Sequence, residues 1–351
     1  MTSRRVTIVD IARELGISKS LVSNALHNRG RVSATTRELV QAKAQDMGYV
    51  SNRAAQQLRS SRSGTIGLTI PSDLRALSFY MQITLGVSDA CGEFDSDLML
   101  YTHYDSQSRV SLNVPLDGVI VCDPKPSDPL ITQFTHADIP IVTIGHVDSD
   151  QDAGIDGSVS IDFSKLVGDV FASLDSRGEG GSPALLIPNL PVLPVWLEEV
   201  HAAYVRECGE RNITPREVPL PISVNLPADA AENSTTQTVA GPMMSTLRDF
   251  VAELLDSSQS AWIVAFQGLA STLRGLAVEV ERNDDIPRIV ALPGDPMSDA
   301  FEPRILSVDF RAHDYGVTAA KMLASAIENR DDNRAAGPSA EIHRTALLDS
   351  R

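Results

Sequence analysis

Apolar positions near the N-terminus follow a helical rhythm. Ile8, Ile11, Ala12 and Leu15 recur at three- and four-residue spacing, which predicts a short helix with one buried face. Thr7 can cap it, and Asp10, three residues on, can complete a capping box. Gly16 then interrupts the pattern, as a tight turn between two helices requires. Ser18 is placed to cap a second helix reaching Asn28. At about 100° per residue from Lys19, the apolar Leu21, Val22, Ala25 and Leu26 fall within an arc of about 140°. Lys19, Ser20, Ser23, Asn24 and His27 occupy the opposite face. A third helix is capped by Ser33, turns Leu39, Val40, Ala44 and Met47 inward and ends at Gly48.

Beyond the linker SSRSG the rhythm changes. Short apolar runs at 65–70, 98–102, 118–122, 141–144, 158–161, 183–187, 262–266 and 289–292 read as strands. Helical stretches intervene at 78–93, 163–174, 195–211, 244–255 and 268–281. Such alternation predicts parallel sheets wound by helices, and the length suits two lobes. Ligands in these folds occupy the crevice beyond the strand C-termini.

Charge divides the chain the same way. Residues 1–62 carry 11 Lys and Arg against 4 Asp and Glu, whereas the remainder carries 19 against 42. A head of net charge +7 on a body of −23 suits a protein whose head alone approaches phosphate. The polar face of the second helix bears no carboxylate, and Lys, Ser and Asn can donate to base edges or to phosphate oxygens. Periodicity alone is equally what any amphipathic three-helix unit shows; the Gly turn and the basic total favour DNA.

From Val6 to Leu58 the chain resembles, without gaps, the head and hinge of the lactose-repressor family of bacterial transcription regulators. The resemblance lies in the T-x-x-D-I-A start, the G-I-S turn, V-S-x-A-L in the second helix, V-S-x-x-T-R before the third, and G-Y-x-x-N-x-x-A before the hinge. It implies an all-α helix-turn-helix head (1–51), a hinge helix and linker (52–63), and an effector-binding and dimerisation body (64–351). It further implies that Lys19, Ser20 and Asn24 read bases in the major groove. Thr7, Ser18, Ser23, His27, Arg31, Ser33, Thr36, Tyr49 and Asn52 would contact phosphates or position the helix. Ala55 and Leu58 stand in the hinge, where a leucine from each subunit wedges a minor-groove step. Ser51, where the family usually has proline, departs from the pattern.

The body resembles the same family's α/β body, with two periplasmic-binding-protein-like lobes of parallel sheet joined by three crossovers. The likeness is carried by LDGVIVC, IPIVTIGH, VSIDF, AWIVAFQGLASTLRGLAVE and EPRILSVDFRAHDYGVTAAKMLASAI, and the closing EIHRTALLDSR reads as a last strand. Strand ends and family positions nominate Ser72, Ser78, Phe79, Gly145, His146, Trp196, Gln267 and Asp295 for the effector pocket. Gln267 replaces an aspartate that often binds sugar hydroxyls, and Glu198 falls where a pocket arginine is common. The segment between Tyr101 and Leu116 is short for the usual second helix, and the polar stretch 221–242 has no clear pattern.

No HExxH, GxSxG or GxxxxGK[ST] occurs, so no enzyme activity is expected. The three cysteines are scattered and the histidines lack ligand spacing, so neither metal nor other cofactor is expected. No apolar run approaches membrane-spanning length and no secretory signal opens the chain, which predicts a cytoplasmic protein with no membrane partner. The expected function is a DNA-binding regulator of repressor type, a homodimer on a pseudo-palindromic operator, controlled by a small molecule of sugar or sugar-like kind. Two alternatives stand beside it: control by a protein partner, or no effector at all. A ligand-binding protein with no DNA role is the third.

Overall fold

A computed structural model describes residues 6–26, 32–49, 62–71, 78–101, 114–125, 128–146, 154–189, 193–221, 237–257, 259–281, 286–294, 305–332 and 338–349. The chain separates into two compact units, Met1–Ser63 and Gly64–Arg351.

In the first unit, α1 (Ile8–Leu15), α2 (Lys19–Leu26) and α3 (Ala34–Asp46) surround Ile11, Ala12, Val22, Ala25, Val40 and Ala44. Each large apolar side chain buried there contributes about 1.5–3 kcal/mol, enough to hold so small a core only with its caps in place. Thr7 and Asp10 form the reciprocal capping box, and Gly16, with φ of 65°, turns the chain into α2. Ser18 Oγ accepts from the Leu21 amide at 3.1 Å, and Ser33 Oγ from that of Thr36 at 3.2 Å. Leu39, expected inward, is 54% exposed. Val40 and Ala44, four residues apart, form the inward row of α3 and leave Leu39 on its flank.

The second unit holds two six-stranded sheets. The first, ordered β11-β5-β4-β3-β1-β2, comprises β1 (Thr65–Thr69), β2 (Asp97–Tyr101), β3 (Gly118–Cys122), β4 (Ile141–Ile144), β5 (Gly157–Ile161) and β11 (Ser339–His343), all parallel. The second, ordered β12-β10-β9-β8-β6-β7, comprises β6 (Pro183–Pro188), β7 (Glu217–Leu220), β8 (Ala261–Val264), β9 (Arg288–Ala291), β10 (Ile305–Asp309) and β12 (Ala346–Asp349). Its pairs are parallel except β12, which runs antiparallel to β10. The central runs GVIVC, IVTI and AWIV are buried throughout because helices cover both faces of the sheets. Pro219 lies in β7, an edge strand, where a missing amide leaves no central ladder broken.

The helices of this unit are α4 (Ser78–Glu93), α5 (Pro129–His136), α6 (Phe163–Ser176), α7 (Val195–Glu210), α8 (Gln237–Leu255), α9 (Ala270–Glu281) and α10 (Ala312–Asp331). The chain passes between lobes after β5, after β10 and between β11 and β12. The C-terminal segment, expected as one strand, is thus two, one for each sheet. His343 pins this last crossing: its Nε2 donates to the Phe310 carbonyl at 2.9 Å, and its ring stacks on Tyr315 at 4.4 Å. Strands β7 and β10 and helices α5 and α10 are absent from the runs read by periodicity, β10 and α10 lying in a segment marked only by its family likeness. The polar stretch 221–242 contributes the first residues of α8 from Gln237. Among the described residues no helix is long and apolar enough to cross a membrane.

Candidate nucleic-acid interface and ligand cleft

Lys19, Ser20 and Asn24 are exposed on one face of α2, while Val22 and Ala25 anchor the opposite face in the head core. Ser20 Oγ lies 3.0 Å from the cap oxygen of Ser18. Thr7, Ser18 and Ser33 sit at helix N-termini as cap residues, so their hydroxyls hold backbone amides near the surface that a phosphate would meet. Ser23, Thr36 and Tyr49 are half-buried, Tyr49 packing against the core. His27, Arg31, Asn52, Ala55 and Leu58 lie outside the described residues, as do Ser72 and Asp295.

In the body, strand C-termini of the two sheets face one another across a cleft of about 680 Å³, counting the open space at its mouth. Asp123 follows β3, Gly145 follows β4, and Ile161 and Pro188 end β5 and β6. Gln267, Pro293 and Phe310 follow β8, β9 and β10. The order reverses beside β1 in the first sheet and beside β6 in the second, so the cleft occupies the switch points that collect ligands in such folds. Its walls are chiefly aromatic. Phe79 meets Tyr80 and Phe310 edge-on at 5.2 and 5.8 Å, and Phe163 bridges Phe310 and Trp196 at 6.0 and 6.3 Å.

Gln267 makes one polar contact across the lobes and one within its own lobe. The Phe79 amide donates to Gln267 Oε1 at 2.9 Å, and Gln267 Nε2 reaches the Gly294 carbonyl at 3.5 Å. A carboxylate in place of Gln267 could accept the first but could not donate the second. His146 Nδ1 approaches Glu199 Oε1 at 3.6 Å at the surface. Inside, the Tyr80 hydroxyl donates to Asp123 Oδ2. Burial pushes the Asp123 carboxyl up to about 6; the Tyr80 hydrogen bond opposes that and the negative charge of Glu199 adds to it. Burial also raises Glu199, with His146 opposing and Asp162 reinforcing. The Tyr315 hydroxyl donates to the Val159 carbonyl at 2.9 Å.

Of the nominated pocket residues, Phe79, Gly145, Trp196 and Gln267 line the cleft. Ser78 is exposed at the start of α4, and His146 is exposed beside Glu199. Glu198 points to solvent; the carboxylate turned toward the first lobe belongs to its neighbour Glu199. Asp123, Tyr80, Phe163, Phe310 and Tyr315 were missed. Asp123 was within reach, since it directly follows the apolar run GVIVC and so ends a strand. The others are contributed by helix starts and a crossover, which no local pattern marks.

Residues 7–52 match the model of the bacterial regulatory proteins of the lacI family. The maltose regulon regulatory protein MalI of Vibrio furnissii is 38% identical over 111 residues, spanning 31% of this chain and 78% of that protein. MalI of Escherichia coli is 35% identical over 127 residues, 34% of this chain; the match spans only 36% of the length of that relative. The lac repressor dimer bound to operator and the anti-inducer ONPF superposes with a TM-score of 0.66 at 18% identity, covering 99% of both chains. With its capped three-helix head, its two six-stranded lobes and these matches, the chain belongs to the lacI family of bacterial regulatory proteins.

Proposed function

We propose that the protein is a sequence-specific transcriptional regulator of repressor type, acting on DNA in the cytoplasm as a homodimer. The observation that carries this reading is the exposed Lys19, Ser20 and Asn24 face on a capped helix within a segment of net charge +7. Donors without carboxylates suit base edges and phosphates, and the acidic body is repelled from the duplex. The relatives are named as regulators, which supports a binding rather than a catalytic role. Selection from random duplex DNA with the full chain tests it. The expected product is a near-palindromic site whose affinity falls steeply with salt. No enriched sequence, or a flat salt profile, overturns the reading.

Dimerisation has its own support. Met81 and Leu85, one turn apart on α4, and Leu100 on the edge strand β2 are exposed large apolar residues of the first lobe. Met81→Glu with Leu85→Glu is expected to shift the sedimenting species from dimer to monomer and to weaken operator binding. A variant that still sediments as a dimer rules this face out.

The cleft is read as an effector site. A ligand there stabilises one angle between lobes, and differential binding to the two angles couples it to the head. Carbohydrate is the class suggested by the maltose regulon relatives.

A further inference from the structure

The cleft walls carry chemistry that narrows the ligand. A sugar ring presents several hydroxyls, and each one buried without a partner costs about 1–3 kcal/mol. The polar side chains available here already hold hydrogen bonds within the protein. Gln267 uses its oxygen for the Phe79 amide and its nitrogen for the Gly294 carbonyl. Tyr315 donates to Val159, and Tyr80 donates to Asp123 Oδ2. Among the described lining side chains one carboxylate oxygen is left over: Asp123 Oδ1, which takes part in no hydrogen bond and is not shut off from the open space. It stands beside Gly145, where even a Cβ would approach it to 2.9 Å, so the absence of a side chain there keeps the oxygen uncrowded.

The rest of the lining is apolar, and no Lys, Arg or His is among the described lining residues. Asp123 therefore has no cation of its own. Burial and the negative charge of Glu199 push its carboxyl toward the protonated form, and Glu199 itself lies 3.6 Å from His146 at the surface. A site with one open carboxylate oxygen, no cation among its described lining residues and aromatic faces around it favours a positive group and resists a negative one.

We propose that the cleft binds a small, mainly aromatic molecule carrying one protonated amine, its ring among Phe79, Phe163, Trp196 and Phe310 and its ammonium on Asp123 Oδ1. The proposal rests on the effector-site reading above and replaces the carbohydrate class with an arylalkylamine. Such a ligand brings one charged donor group to the one unpaired carboxylate oxygen, and its apolar body leaves no buried hydroxyl unpaired. The rings stand edge-on or tilted to one another, so the wall offers both ring faces and ring edges to an aromatic ligand.

The probes are phenethylamine, phenylacetate, 2-phenylethanol and maltose, each titrated into the full-length protein by calorimetry. Tryptophan fluorescence gives a second readout, because of the two tryptophans Trp196 lines the cleft while Trp262 is fully buried in the second lobe. Phenethylamine is expected to bind and to perturb the fluorescence, with phenylacetate and maltose silent. Asp123→Asn is expected to weaken phenethylamine by roughly tenfold to a hundredfold, as loss of a charge-assisted hydrogen bond does. Trp196→Ala, at the partly exposed rim, should weaken phenethylamine and 2-phenylethanol alike, and it keeps the test open if Asp123→Asn fails to fold. Equal binding of phenylacetate, or unchanged amine affinity in Asp123→Asn, overturns the proposal. Binding of maltose but not of phenethylamine overturns the amine class and upholds the effector site. Silence from all four overturns the amine class, and operator selection then decides the regulator reading separately.

Discussion

Replacing Lys19, Ser20 and Asn24 together by alanine is expected to lower affinity for the selected operator by about 100- to 10,000-fold, since each base-edge contact carries about 1–3 kcal/mol of discrimination. Affinity for scrambled duplex should fall far less, because it rests on phosphates and only Lys19 of the three is charged. The logarithmic salt slope should shrink by about one for that single cation. These side chains are exposed and lie outside the head core of Ile11, Val22 and Val40, so the head should melt where it did before. Titrations on operator and scrambled duplex at two salt concentrations separate the effects. An unchanged ratio of the two affinities would show that this face does not read bases. Moving the three residues to the identities of another regulator should move the preferred half-site with them.

The second large effect concerns the scaffold of the cleft. Helices α4 and α10 approach so closely that a Cβ at Gly86 would lie 2.0 Å from the His313 carbonyl oxygen, and one at Gly316 2.3 Å from that of Ile83. Both obstacles are backbone, which cannot rotate aside. Gly86→Ala is therefore expected to destabilise the body by about 1–3 kcal/mol, and Gly86→Val by more, as overpacking does. Gly118 in β3 and Gly92 in α4 serve as controls. A Cβ at Gly118 would be 2.8 Å from Leu323 Cδ1, the far end of a flexible side chain, so Gly118→Ala should cost less. Gly92, near the end of α4, has nothing within 4 Å, and alanine there should stabilise by about 0.5–1 kcal/mol through helix propensity alone. Urea unfolding of the four proteins measures the order. If Gly86→Ala unfolds at the same urea concentration as Gly92→Ala, the close approach is not a constraint. Because α4 begins with Ser78 and Phe79 and α10 begins beside Phe310, any separation of the pair should also disturb the cleft.

The head was legible from sequence almost to the residue. Its caps, Thr7, Ser18 and Ser33, act within three or four positions of themselves, and its buried row repeats every turn. Leu39 shows where that legibility stops: periodicity places it on the apolar side of α3, but the width of a three-helix core admits Val40 and Ala44 and leaves it out. In the body most strands were legible, as apolar runs with turns between them, but β7 and β10 were not among those runs. The partition of the C-terminal segment between two sheets was not, because β11 and β12 are separated only by Arg344 and Thr345 and differ in partner rather than in pattern.

By itself, then, the sequence determined most of the elements, the two-lobed α/β class, the basic head and its polar helix face, and the strand ends near which a ligand would lie. Only the tertiary structure decided which of those ends meet. The Phe79 amide finds Gln267 across 188 positions of chain, and His343 finds Phe310 across 33. Hydrogen-bond periodicity and capping are local and leave a local trace in the sequence. The assembly of Asp123, Tyr80 and an aromatic wall depends on sheet order and helix packing, and these arise from contacts whose partners no nearby residue records.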